Sequence, residues 1–154
     1  HTIGALPSVG TTVKDFALVD SGLNVKTLQN FDGKKKVFNI FPSIDTSTCA
    51  TSVRKFNEQA ANLPNTKVLC IARDLPFAMK RFCGVEGIEN AICLSDFVDG
   101  SFGKDYGLEI TEGIFNGLHS RAVVVINEDG IITHTEQVGN ISDEPNYQAA
   151  LAAL

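Results

Sequence analysis

The sequence lacks the residue patterns that mark several common kinds of functional site. It contains no tryptophan, one methionine and three histidines, and the histidines at positions 1, 119 and 134 have no helical pair spacing for binding a metal. Its four cysteines form no C-x-x-C motif; they are Cys49, Cys70, Cys83 and Cys93. A zinc site is therefore not expected, and neither is any other metal or cofactor.

A long apolar run and an excess of basic residues are also missing. No stretch approaches the ~18 apolar residues that span a bilayer, and the N-terminus lacks the basic-then-apolar order of a signal peptide. The net charge of -5, with one short basic run from Lys34 to Lys36, argues against a nucleic-acid partner. We therefore expect a soluble protein that binds neither nucleic acid nor a membrane.

Apolar residues, by contrast, are sufficient for one sizeable core. Hydrophobic residues make up 44% of the 154 residues, so residues 1–154 are expected to form a single domain. A chain with such a core needs no disulfide framework for stability. Its scattered cysteines therefore indicate a reducing compartment, for which the cytoplasm is the expected location, and one or two redox-active thiols.

The segment from Val37 to Leu63 predicts the element around which the chain is organised. A short apolar run of β-forming residues precedes Pro42, and apolar residues then recur at helical spacing, at Val53, Phe56, Ala60 and Leu63. Each residue from 45 to 48 is a candidate N-cap, and Pro64 ends the helical pattern. The first turn of the predicted helix therefore presents Cys49.

A cysteine at a helix start has a different chemistry from an ordinary one. Free backbone N–H groups and the positive end of the helix dipole favour an anion there, so Cys49 is predicted to ionise readily and to react as a thiolate. The alternative is that Cys49 is a small buried hydrophobic residue, as most free cysteines are. Position alone does not separate the two interpretations.

The remaining elements follow from apolar runs and turn residues. We predict an opening hairpin and loop within residues 1–19, strands at 67–72 and 91–94, a helix from Leu75 that Gly84 ends, and a short helix at 102–108. Strands at 122–126 and 131–136 flank an Asn-Glu-Asp-Gly turn and form a hairpin, and a helix follows Pro145. Cys70 and Cys93 fall on the predicted strands and are interpreted as core residues, whereas Cys83 falls at the end of the helix before Gly84.

This order of elements predicts an α/β fold with a central mixed sheet and helices on both faces. Periodicity alone also permits a flavodoxin-like sheet. The antiparallel hairpin near the C-terminus favours a thioredoxin-like sandwich instead.

Three separated blocks carry a resemblance to a known family. The residues from Pro42 to Cys49 read P-x-x-x-T-x-x-C, which resembles the active-site signature of the peroxiredoxins. Together with VLCIARDLPFAMKRFCGVEGIENA and GLHSRAVVVI, this block is similar to the thiol peroxidases, the atypical 2-Cys branch of that family, along essentially the whole chain. The resemblance implies a thioredoxin-like fold whose N-terminal hairpin is partly missing here.

The resemblance also implies a division of labour among five residues. Cys49 would attack a hydroperoxide, Thr46 would orient it, Arg121 would stabilise charge and Pro42 would shield the thiolate from water. Cys83, in the R-F-C-G block, would be the resolving cysteine that closes an intrachain Cys49–Cys83 disulfide. Thioredoxin is the implied reductant and a homodimer the implied assembly.

Two other functions have features that distinguish them. A disulfide reductase of the thioredoxin type would need a C-x-x-C motif, and Thr46 occupies the place of its first cysteine. A peroxide-sensing relay module without significant turnover would use the same Cys49. Such a module would be oxidised stoichiometrically by peroxide and would show no peroxide turnover with thioredoxin.

Overall fold

The computed structural model of the protein describes residues 2–140 and 142–154. Its strands are β1 (Leu18–Asp20), β2 (Val25–Lys26), β3 (Lys35–Ile40), β4 (Thr66–Ala72), β5 (Ala91–Ser95), β6 (Ala122–Ile126) and β7 (Ile132–Gln137). Its helices are α1 (Ser47–Ala60), α2 (Pro76–Glu86), α3 (Ser101–Asp105) and α4 (Tyr147–Ala152), and a 3-10 turn spans Leu28–Phe31.

The strands form one mixed sheet in the order β2-β1-β5-β4-β3-β6-β7. The three central strands β3, β4 and β5 are parallel, because helices α1 and α2 connect them, whereas β1 and β6 pair antiparallel on either side. The predicted C-terminal hairpin is confirmed as β6 and β7, with a register shift between Val125 and Ile126.

Alternate residues of the central strands point to opposite faces of the sheet and supply two apolar cores. On one face, Val37, Val68 and Val125 pack with Val53 of α1 and Met79 of α2. On the other face, the strand residues Phe38 and Leu69 belong to a core with Phe16 before β1, Phe102 of α3 and Tyr106 just after α3. Helices therefore cover both faces, which confirms the predicted thioredoxin-like architecture.

Three helices end at other residues than predicted, and the short helix expected at 102–108 is α3, which ends at Asp105. The apolar stripe predicted α1 to continue to Leu63, but the helix ends at Ala60 and residues beyond it form turns. Gly84 was expected to end α2, yet the helix continues to Glu86 and Gly87 follows in the left-handed conformation, with φ 66°. A glycine inside a helix costs only about 1 kcal/mol, whereas a left-handed residue strongly favours glycine, so the second glycine is the cap.

The predicted opening hairpin within residues 1–19 is wrong. Residues 2–17 pair instead with distant parts of the chain, through isolated bridges from Thr2 to Ile110 and from Thr12 to Ile131. The first hairpin is β1 and β2, which lie at the edge of the sheet. Short β-prone pieces separated by glycine and proline do not specify which strand they pair with, because the partner is remote in sequence.

Across residues 2–140 and 142–154, none of the helices combines the length and the apolar character that crossing a membrane requires.

Candidate active site

Pro42 and Arg121 lie at the same end of the central strands, the end at which β3 and β4 finish. Strand β3 ends at Ile40, which pairs antiparallel with Ala122 at the start of β6. The residues that follow β3 and the residue that precedes β6 therefore lie side by side. The parallel strand β4 also finishes at this end of the sheet, so the segment after Ala72 meets the same place.

Helix α1 begins at this end of the sheet and carries Cys49 in its first turn. Thr46 is the N-cap residue in an extended conformation, and its carbonyl accepts the helical hydrogen bond from the N–H of Ala50 at 2.9 Å. Cys49 is the third helical residue and is completely buried. The predicted position of this cysteine near a helix start is confirmed.

Arg121 donates a hydrogen bond to the thiol of Cys49. The distance from Arg121 Nη2 to Cys49 Sγ is 3.2 Å, and the arginine is only 1% exposed. An arginine before an apolar strand is ordinarily a solvated flanking residue, but here its guanidinium is held inside the protein against a sulfur atom. A fixed cation at hydrogen-bond distance favours the anionic form of its partner.

Thr46 presents a hydroxyl oxygen at the same place. Its Oγ1 donates to the carbonyl oxygen of Ser43 at 3.1 Å, and no side-chain capping bond is made to α1. Since the hydroxyl proton is used in this bond, the oxygen lone pairs are left to accept a hydrogen bond from a ligand.

A cavity of about 190 Å³ lies beside Thr46 and Arg121, and Cys49 is not among the residues that line it. It is lined by Pro42, Thr46, Ser47, Thr48, Phe115, Arg121 and Ser142. A neighbouring cavity of about 590 Å³ shares Phe115 and Arg121 with it. The smaller cavity lies below the size of ordinary drug-sized pockets, so it suits a small reacting group whose remaining atoms extend outward.

Asp74 holds the loop between β3 and α1 and was not singled out from the sequence. Its carboxylate accepts hydrogen bonds from the Ser43 hydroxyl and from the N–H of Ile44, both at 2.7 Å. Asp74 is the second residue after β4, at the end of the sheet where β3 also ends. An acidic residue at the carboxyl end of a parallel strand was therefore a usable indication in the sequence.

We predict that Asp74→Ala lowers kcat/KM of the reaction at Cys49 about tenfold, because the loop that carries Pro42 and Thr46 loses both of its carboxylate contacts. Two hydrogen bonds to a charged group stabilise by about 1.5–3 kcal/mol each, so the free energy of unfolding also falls. Steady-state kinetics and urea unfolding measure the two effects. Asp45→Ala is the matched control, because Asp45 is an exposed neighbour whose carboxylate contacts only the exposed Arg81 among the ion pairs described. Equal effects of the two substitutions would contradict this role of Asp74.

A buried polar chain fixes the backbone of Cys49. Asn39 Nδ2 donates to Ser52 Oγ at 3.1 Å, and Ser52 Oγ donates to the carbonyl oxygen of Cys49 at 2.8 Å. Both polar side chains are fully buried. The indication in the sequence was an asparagine inside the apolar run VFNIF, because a buried polar group requires a partner.

The segment before α4 closes one side of the cavity. Thr48 Oγ1 donates to the carbonyl oxygen of Ser142 at 3.2 Å, and Lys55 on α1 pairs with Glu144 at 3.1 Å. A hydrogen bond from the Tyr147 hydroxyl, followed by one from Lys55, holds the pKa of Glu144 below its usual range. The carboxylate therefore remains charged, but the pair is largely exposed and attaches this segment to α1 only weakly.

Cys83 does not line the cavity. It is half-buried near the end of α2, and its Sγ lies 3.4 Å from the Sγ of Cys93 on β5. Two ion pairs join α2 to the Cys49 region: Arg54 with Glu86 at 2.9 Å, and Arg81 with Asp45 at 2.8 Å. These contacts are largely exposed, so they hold α2 only weakly.

All four cysteines are free thiols in this structure. Within the described ranges, 2–140 and 142–154, no group of three or more histidine, cysteine or acidic side chains is arranged to hold a metal ion. The arrangement that remains is a buried thiol beside a guanidinium, at the edge of a small cavity. Such a site suits nucleophilic attack by sulfur on a small electrophile.

Comparisons with known sequences cover nearly the whole chain. The Redoxin family model matches residues 8–151. A thiol peroxidase of Mycobacterium tuberculosis is 53% identical over 154 residues, which cover 100% of this chain and 92% of the relative. A thiol peroxidase of Corynebacterium glutamicum is 52% identical over 153 residues, covering 99% of this chain and 92% of the relative.

Solved structures show the same fold. A peroxiredoxin-like protein from Aquifex aeolicus superposes with a TM-score of 0.92 at 33% identity, over 99% of this chain and 89% of the other. A thiol peroxidase from Chromobacterium violaceum superposes with a TM-score of 0.91 at 25% identity, over 99% of this chain and 88% of the other.

Proposed function

The chain belongs to the thiol peroxidases of the Redoxin family and is a peroxidase, and we propose that it uses Cys49 to reduce hydrogen peroxide and organic hydroperoxides. The observation that carries the proposal is the hydrogen bond from the buried Arg121 guanidinium to the Cys49 sulfur at 3.2 Å. Antioxidant defence is the corresponding role in the cell.

The proposed reaction is a displacement at the O–O bond. The Cys49 thiolate attacks one peroxide oxygen, the O–O bond breaks, and the departing alkoxide or hydroxide takes a proton. The product on the protein is a Cys49 sulfenic acid. Arg121 stabilises negative charge first on sulfur and then along the breaking bond, where a preorganised donor in a dry site is most effective.

Thr46 and Pro42 set the geometry of this step. The Thr46 hydroxyl donates to Ser43, so its oxygen is available to accept a hydrogen bond from the peroxide O–H. Pro42 lines the cavity, is buried and has no backbone N–H that would hold a water molecule near the sulfur. Both residues therefore favour one orientation of a small ligand.

Resolution is proposed to use Cys83. The Cys83 thiol attacks the sulfenic sulfur, a Cys49–Cys83 disulfide forms, and the sulfenic hydroxyl group leaves with the thiol proton as water. Because Cys83 faces Cys93 in the reduced fold, the end of α2 has to move for this bond to form. The exposed ion pairs that attach α2 and the glycines at positions 84 and 87 make this movement inexpensive.

The remaining parts of the proposal concern partners. Thioredoxin reduces the disulfide by thiol–disulfide exchange, which restores both thiols. A homodimer is proposed because Ile114 is 94% exposed and Phe115 lies beside it at the larger cavity, where a second copy would cover apolar surface. A cytoplasmic location is consistent with four free cysteines.

A steady-state assay with thioredoxin, thioredoxin reductase and NADPH tests the proposal. We expect multiple turnovers with hydrogen peroxide, a short alkyl hydroperoxide and a fatty-acid hydroperoxide, with the panel showing the preferred substrate. Sedimentation velocity of the same sample tests the homodimer. Consumption of a single equivalent of each peroxide, without turnover, would instead support the peroxide-sensing relay.

We predict that peroxide links Cys49 to Cys83 within one chain. Peptide mapping soon after one equivalent of peroxide should find this disulfide, and hydrogen exchange should rise near residues 46–52 and 80–87, because both segments unwind to bring the two sulfurs together. Non-reducing electrophoresis should show a monomer. A link to another chain, or an early link from Cys49 to Cys70 or Cys93, would contradict the resolving role of Cys83.

A further inference from the structure

Cys83 and Cys93 form a thiol pair apart from the proposed catalytic cavity. Their sulfur atoms are 3.4 Å apart, whereas a disulfide requires about 2.05 Å, so closing the bond needs a shift of little more than about 1 Å. Cys83 is half-buried on α2, and Cys93 is 4% exposed on β5. The sequence interpretation of Cys93 as a core residue is correct for its burial but does not account for this contact.

Cys70 lies next to Cys93 on the neighbouring strand. It pairs in register with Cys93 across the parallel strands β4 and β5, and it is completely buried. Asn39 Nδ2 donates to Cys70 Sγ at 3.7 Å. Of the two strand cysteines, Cys93 is therefore the one within reach of the helix that moves.

We propose that Cys93 is a second resolving thiol, which takes Cys83 from the Cys49–Cys83 disulfide and leaves the chain with a Cys83–Cys93 disulfide. This inference rests on the function proposed above. The Cys93 thiol loses its proton to solvent and its sulfur attacks the sulfur of Cys83. A bond forms between these two sulfurs, the bond from Cys83 to Cys49 breaks, and Cys49 leaves as a thiolate. No net oxidation or reduction takes place in this exchange.

Two features of the fold drive the exchange forward. The leaving Cys49 thiolate returns to its place beside Arg121, which stabilises it, and a stabilised leaving thiolate departs faster. The end of α2 also regains its native helical turn, because the reduced fold already holds Cys83 against Cys93. The Cys49–Cys83 disulfide, by contrast, keeps α2 unwound.

The chemistry of the pair also sets the order of events. The hydrogen bond with Cys93, followed by burial, raises the pKa of Cys83. The Cys70 thiol raises the pKa of Cys93, the hydrogen bond with Cys83 lowers it by less, and burial raises it further. Both thiols therefore stay protonated and react poorly with peroxide, so peroxide oxidises Cys49 first. Exchange should be slower than the first disulfide, because Cys93 ionises rarely.

The consequence is that one chain stores an oxidising equivalent away from its catalytic cavity. Cys49 becomes free while Cys83 remains oxidised, so the chain can react with a second equivalent of peroxide before any reductant arrives. The second Cys49 sulfenic acid then has no Cys83 thiol to resolve it. It would persist for a partner thiol or for further oxidation.

A time course of disulfide mapping tests this proposal. The reduced full-length chain receives one equivalent of hydrogen peroxide without reductant, is quenched with acid at intervals, alkylated with N-ethylmaleimide and digested with pepsin. We expect an early Cys49–Cys83 disulfide with Cys93 alkylated. It should be replaced by a Cys83–Cys93 disulfide with Cys49 alkylated in at least about half of the molecules. A second equivalent of peroxide should then be consumed at close to the rate of the first.

Matched variants separate the possible outcomes. In Cys93→Ser and Cys93→Ala the Cys49–Cys83 disulfide should persist with Cys49 blocked, whereas in Cys70→Ser, which keeps Cys93, a Cys83–Cys93 disulfide should still replace it. A stable Cys49–Cys83 disulfide in the wild type would overturn the proposal while leaving the proposed function intact. Absence of peroxide consumption and of the early disulfide would overturn both. A Cys83–Cys93 disulfide that forms equally fast in Cys49→Ser would overturn the route through Cys49.

Discussion

Replacing Cys49 by serine is expected to reduce peroxide turnover by at least about 10³-fold while leaving the fold intact. A serine hydroxyl at this position is not ionised at neutral pH, so loss of the nucleophile leaves only binding and polarisation. Cys49 is completely buried, but serine is slightly smaller than cysteine and fits the same space. The thioredoxin-coupled assay measures the loss, and circular dichroism with thermal melting measures the fold.

Cys70→Ser is the control for this experiment. Cys70 is also completely buried and on the same face of the sheet, but it lies in the middle of β4, away from the residues that line the cavity. Its replacement should leave kcat/KM within about threefold of the wild type, because nothing in the reaction uses it. Turnover retained in Cys49→Ser, or an equal loss in a folded Cys70→Ser protein, would refute the assignment of Cys49 as the nucleophile.

Replacing Arg121 by alanine is expected to lower kcat/KM by about 10²- to 10³-fold, the usual loss when one preorganised charged donor is removed from a reacting centre. The hydrogen bond at 3.2 Å disappears, and with it the fixed cation beside the sulfur. Alkylation of Cys49 by iodoacetamide, measured against pH, should shift to higher pH. A structural effect alone would lower the melting temperature without moving this profile.

Two further substitutions sharpen the test. Arg121→Lys keeps a positive charge but loses the planar fork, so it should recover part of the alkylation profile and less of kcat/KM. Arg81→Ala removes an exposed arginine whose partner Asp45 also lies in the loop before α1, and it should change kcat/KM by less than about fivefold. An unchanged alkylation profile in a folded Arg121→Ala protein would make Arg121 a purely structural residue.

Local patterns in the sequence were sufficient to predict the central elements. The change from an apolar run to a helical stripe at Pro42 predicted β3 and α1, and it placed Cys49 in the first helical turn. The Asn-Glu-Asp-Gly turn predicted the β6–β7 hairpin. The resemblance to the thiol peroxidases is confirmed by relatives that cover the whole chain. The strand, the helix and the hairpin each depend on residues that are close in sequence, so a local pattern can specify them.

Predictions failed where an element depends on a distant partner. The opening residues were predicted to pair with each other, but Thr2 and Thr12 pair with segments more than a hundred residues away. The end of α2 was misplaced because either of two glycines could cap it, and only the packed structure puts Gly87 in the left-handed conformation. Local propensity is too weak to choose between such alternatives when tertiary contacts contribute more free energy.

The order of the elements, the position of Cys49 at a helix start and the family all follow from the residue pattern of the chain. The tertiary structure decided which side chains meet: Arg121 with the Cys49 sulfur, Asp74 with the loop before α1, and Cys83 with Cys93. Each pair joins residues from different elements, and the sheet register sets their separation. Because register is fixed by packing over the whole core, contacts of this kind cannot be read from the local pattern around either residue.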